Sequence, residues 1–111
     1  MAKIQRIDQF LAEQFAYFLA KLDSIKESNG SLLDNSMIVY GSGISDANRH
    51  DHADLPIVIA GKGGRTIATG QHIDLGSETP LNNLFLSMLD RCGANVDKLG
   101  DSSGRLSQID A

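Results

Sequence analysis

The chain has 111 residues, 41% of them hydrophobic and 22% charged, which suits one soluble globular domain and excludes both a two-domain chain and a disordered one. Ten basic against fourteen acidic residues leave a formal net charge of −4, so nonspecific capture of nucleic acid or of an anionic membrane is excluded. Cys92 is the single cysteine, so neither an internal disulfide nor a cysteine-rich zinc site can form.

Ile4, Ile7, Leu11, Phe15, Phe18, Leu22 and Ile25 follow steps of three and four. At 100° per residue they fall within an arc of about 80°, the stripe of an amphipathic helix of roughly six turns. Phe10, Tyr17 and Leu19 widen it, and Asn29-Gly30 is read as its stop. The stripe lacks sustained heptads, so packing on a core is the first reading and a partner-binding helix the second. Charges recur every few residues from Lys3 onward, so neither a signal peptide nor a membrane span is expected here. As written, the chain is expected to stay in the cytoplasm.

Ser36–Gly41 and Leu55–Ala60 are short apolar runs rich in β-branched residues and read as buried strands, with Pro56 at the start of the second. Neither alternates cleanly, which suits a sheet covered on both faces. Gly61-Lys62-Gly63-Gly64 reads as a turn; it lacks the spacing of a phosphate loop. Arg65–Ala68 and His72–Asp74 are weak strands, expected to form a hairpin through Thr69-Gly70-Gln71. Thr79 is expected to cap the last helix, with Pro80 in its first turn. Leu81, Leu84, Phe85, Met88 and Leu89 should be its buried face, Cys92 a small core residue and Gly93 its end. The polar tail from Asn95 offers Val96, Leu99 and Leu106 as anchors.

The loop between the strands concentrates the polar chemistry. Asp46 to Asp54 holds three carboxylates, His50, His52 and Arg49, at the end of a strand, where open α/β sheets bind ligands. His50 and His52 are two apart and would face the same way in an extended stretch. Carboxylate and imidazole together suit a divalent metal such as zinc, with Asp46, His50 and His52 as candidate ligands. The competing reading is a solvated loop held by its own hydrogen bonds. Gly100-Asp101-Ser102-Ser103-Gly104 has neither a strand-to-helix elbow nor a base, so nucleophilic catalysis is not expected there. His72 is read as structural or exposed.

Several stretches resemble the end of the bacterial HXXSHH protein family, a family of unknown function. They are residues 14–19, residues 32–43, Arg49-His50-Asp51-His52, Leu55-Pro56, Ala60-Gly61, Asn83-Leu84 and residues 100–106. That family is similar, at a distance, to the alkaline phosphatase and sulfatase superfamily. The resemblance implies an α/β chain that is the C-terminal part of a three-layer fold, in the order helix, strand, strand, hairpin, helix. It implies that residues 1–111 form a single partial domain, with the N-terminal part of the parent as partner. It also implies an exported parent and a metal-dependent hydrolase of phosphate or sulfate esters. His50 stands five residues before Leu55-Pro56-Ile57, as a superfamily metal ligand does before its strand. Where the superfamily has an adjacent Asp-His pair, this chain has Gly43-Ile44, with Asp46 slightly later. A non-catalytic binding or structural descendant is therefore the alternative. Two strands and two helices cannot wrap such a sheet, so a stand-alone chain is expected to pair through its first helix and sheet edge.

Overall fold

In the computed structural model, which describes residues 2–111, the opening stripe forms α1, Ala2–Ser24. Lys21 lies in its last turn, where a cation complements the helix dipole. The helix ends before Asn29-Gly30, contrary to the expected stop. Those residues instead serve a hairpin in which β1, Lys26–Glu27, pairs antiparallel with β2, Gly30–Ser31. Gly30 has φ +127°, a conformation open to glycine, and Asn35 Nδ2 donates to Glu27 and to Asn29 Oδ1, tying the turn down. The two-residue loop is Ser28-Asn29 and Gly30 opens β2, so the glycine read as a helix stop serves the strand that pairs with β1.

Ile38–Gly41 (β3) and Ile57–Ala60 (β4) form an antiparallel pair with Val39 opposite Ile59 and Tyr40 opposite Val58. The sheet covered on both faces is not what forms. Val39, Ile57 and Ile59 face the core, whereas Val58 is 51% exposed and Tyr40 is covered by Phe15 of α1. The Phe15 and Tyr40 rings stack with centroids 4.6 Å apart and planes 13° from parallel. No residue of α1 is buried.

The expected 65–74 hairpin is also absent. Residues 63–66 turn back, and Ile67 bridges to Asp110 of the tail instead. Helix α2 spans Leu81–Arg91. Pro80, extended at φ −58° and ψ 134°, is its cap residue, and no side chain caps the end, so Thr79 does not play the expected role. The helix stops before Gly93, as its sequence requires, but Cys92 is exposed rather than in the core. Leu86 is fully buried and was hidden among the polar positions of the pattern.

The core is small: Ile67, Leu84 and Ile109, with Met37, Val39, Ile59 and Met88 packed around them. Ile109 sits in a 3-10 turn, Ser107–Ile109, in the tail. Polar ties bind that tail to α2, among them Asn82 Nδ2 to Asp101 Oδ1 and Leu106 N to Ser87 Oγ, each at 2.7 Å. Asn83 Oδ1 accepts from Ser103 N at 2.8 Å, and Asn83 Nδ2 donates to Ser103 Oγ. The Arg105 guanidinium donates twice to Asp90, and Arg91 donates to Asp110 and to the Thr66 carbonyl. The Val96 side chain is 41% exposed and is not the expected apolar anchor, while its carbonyl accepts from Arg105 at 2.8 Å. The chain is thus a mixed α/β fold of two helices and two small antiparallel sheets.

A further polar tie joins the two hairpins. Asp34 Oδ2 accepts from Ser31 N at 3.1 Å, and Asp34 Oδ1 pairs with Lys62 at 3.1 Å. The Ser31 N–H first, then the Lys62 ammonium, hold the Asp34 carboxyl below its usual range, and Arg105 does the same for Asp90. A carboxyl whose folded pKa lies below its unfolded one adds stability that is complete above the unfolded value. That stability is lost as pH falls through the folded value. Urea midpoints followed into acid should therefore fall more steeply for the wild type than for Asp34→Asn. Parallel curves would show that Asp34 contributes nothing.

Candidate functional site

The loop from Ser42 to Pro56 leaves the end of β3 and returns to β4. Its tip folds on itself. Ser45 N donates to the Asp51 carbonyl at 2.8 Å, Asp51 N donates to the Asp46 carbonyl at 3.2 Å, and residues 46 and 51 form an isolated antiparallel bridge. Asp46 Oδ1 accepts from Asn48 N at 2.9 Å, an Asx turn, and Asp46 Oδ2 lies 3.7 Å from Arg49 Nε. Asp51 Oδ1 likewise accepts from Ala53 N. These carboxylates serve the backbone of their own loop.

His50 has φ +51° and Asp54 φ +49°, so residues 50–54 are not an extended stretch. The expectation that His50 and His52 face one way because they are two apart has lost its geometric basis. His52 is placed differently from the rest: its Nδ1 lies 2.6 Å from the Gly43 carbonyl oxygen. That contact requires a proton on Nδ1 and leaves Nε2 with a free lone pair in the neutral ring. A hydrogen bond of this kind behind a ring is how metal-bound histidines are commonly oriented.

The three candidates do not by themselves make a zinc centre. Asp46 is engaged by Asn48, Arg49 and its own turn, and among the described residues no group of three or more His, Cys, Asp or Glu side chains is arranged to hold a metal. Beside the loop, a groove of about 260 Å³ runs past Val39, Gly43, Ile57, Leu81 and Phe85 and carries no charged side chain.

The remaining motifs resolve into structure. In the 61–64 turn, Gly63 N donates to the Ser36 carbonyl and Gly64 N to the Asp34 carbonyl, so these donors are not turned to a ligand. Ser102 is buried with its Oγ accepting from Leu99 N, and Ser103 is held by Asn83. His72 is exposed. Reading the sequence overlooked Asp34 and Asn83. Asp34 had a signal in Ser31-x-x-Asp34, the spacing at which a hydroxyl and a carboxylate exchange bonds with each other's backbone. Asn83 had none, since its partner lies in the distant tail.

No helix among the described residues is long and apolar enough to cross a membrane. Comparison of the chain with models of protein families, with curated proteins and with solved structures finds no match.

Proposed function

We propose that the chain is the C-terminal segment of an alkaline-phosphatase-like α/β protein, and that its 42–56 loop borders a metal-dependent phosphate- or sulfate-ester hydrolase site. Residues elsewhere in that protein would complete the site. The observation that carries this reading is the His52–Gly43 contact, which orients a ring with its Nε2 available at the end of a strand. The outer edges of the β3–β4 pair also suit it, since a two-stranded sheet is marginal alone and further strands can extend it. Among its described residues the segment holds no complete ligand set, so by itself it should turn over no ester.

The engagement of Asp46 within its own loop favours a second reading, a scaffold without catalysis. Zinc titration by calorimetry separates the two. Under the first, the wild-type chain binds zinc weakly, and His52→Ala and His50→Ala each lower the affinity by about tenfold or more. Wild-type affinity no higher than that of both variants would remove the metal role and leave the scaffold reading.

A further inference from the structure

Asn29 is followed by Gly30, and none of the chain's other asparagines precedes a glycine. The Gly30 nitrogen and the Asn29 Cγ can close a five-membered ring, and a glycine puts no Cβ in the way of that closure. The fold requires the glycine. Gly30 has φ +127°, and a Cβ there would stand 2.7 Å from Asp34 Oδ2, so no other residue fits position 30 without strain.

Asn29 is exposed, so water reaches it. Asn35 Nδ2 donates to Asn29 Oδ1 at 2.9 Å, a donor placed where negative charge develops when Cγ is attacked. Gly30 stands opposite Glu27 in the closing pair, so attack waits for that end of the hairpin to open. Opening is easy. Each strand has two residues, and both residues of β1 are exposed. Ser28 and Asn29 both have negative φ, so the turn is neither of the types whose twist matches the strands it joins. The ties from Asn35 are exposed and exchange with bonds to water.

We propose that Asn29 is a self-modification site, at which the folded chain, with water as co-reactant, converts the residue to aspartate and mainly to isoaspartate. Hydroxide takes the Gly30 amide proton, the nitrogen lone pair bonds to Asn29 Cγ, and the Cγ–Nδ2 bond breaks. Nδ2 gains a proton from water and leaves as ammonia, and a succinimide remains. Water then adds to one of the two ring carbonyl carbons, and the bond from that carbon to the ring nitrogen breaks. Addition at Cγ gives aspartate. Addition at the main-chain carbonyl gives isoaspartate, whose main chain runs through Cβ and Cγ and is one carbon longer. That carbon takes Gly30 and Ser31 out of register with Glu27 and Lys26, which loosens the link between α1 and β3. This inference is independent of the proposed hydrolase role.

The intact chain is held for weeks in mildly alkaline buffer, folded or in urea, and tandem mass spectrometry locates each replacement of NH2 by OH. Enzymatic methylation specific for isoaspartate measures that isomer. The folded chain should convert Asn29 at a rate within about thirtyfold of the rate in urea, because the hairpin opens readily. Asn35, Asn48, Asn82, Asn83 and Asn95 should stay intact in the folded chain over the same period. Asn29→Gln should stay unmodified at position 29, since attack there would need a six-membered ring. In the isoaspartyl fraction the Leu32 amide, bonded to the Ile25 carbonyl at 2.8 Å, should exchange with deuterium several-fold faster than in the fresh chain. A folded rate further than thirtyfold below the rate in urea would overturn the proposal, because the hairpin would then protect the amide. So would another asparagine of the folded chain converting as fast as Asn29, a Gln at position 29 that converts equally, or a Leu32 amide indifferent to the conversion.

Discussion

Gly61→Ala is expected to lower unfolding free energy by about 3 kcal/mol or more, enough to remove a large part of the stability of a domain this size. Gly61 is buried with φ +91°, where a side chain is strained in any surroundings. A methyl group there would also press into the Ser36 carbonyl and stand 2.9 Å from the Leu33 carbonyl oxygen. Neither neighbour can move cheaply. The segment 33–36 is backbone laced to the 61–64 turn, with Gly63 N bonded to Ser36 O and Gly64 N to Asp34 O, each at 3.0 Å. Gly64→Ala is the control. It too has a positive φ, +67°, but nothing lies within 4 Å of the added carbon, so only the conformational penalty of about 1 kcal/mol remains. Urea denaturation of the two variants reads the difference directly. Equal losses would mean that the close approach of the two backbones is not what makes position 61 special.

Ile109→Ala should cost about 3 kcal/mol, within the range of aliphatic truncations in a packed core. Ile109 is 2% exposed, touches Ile67 and Leu84, and its carbonyl accepts from Ala68 N at 2.9 Å. Removing three carbons from a core this small leaves a cavity that few neighbours can fill. Val96→Ala, at an exposed tail position, should change stability by less than about 0.5 kcal/mol. If Ile109→Ala were as mild as Val96→Ala, the tail would not be part of the cooperative fold.

Which parts of the candidate site could be read from the sequence follows from the same distinction between near and far contacts. The density of His and Asp between two strands was legible because it is a local fact of composition. The roles of those residues were not. Asp46 is engaged by amides two and three residues on, and His50 takes a left-handed backbone, which makes the two-residue spacing of the imidazoles uninformative. His52 is oriented by a carbonyl nine residues away, and no spacing rule places Gly43 beside it.

By itself the sequence determined α1, β3, β4, the 61–64 turn and the end of α2 at Gly93. Each rests on periodicity, β-branched content or a glycine, and these act through the backbone preferences of a few adjacent residues. Tertiary structure alone decided that Asn29 and Gly30 go into a hairpin, in its turn and its second strand, instead of ending a helix, and that residues 65–68 leave their expected hairpin to meet the tail. It also decided that Ile109 supplies a third of the buried cluster while Cys92 stays in solvent. In each of these the local preference is weak or evenly divided, and the free energy of burying apolar area against a distant segment is larger than the preference it overrides.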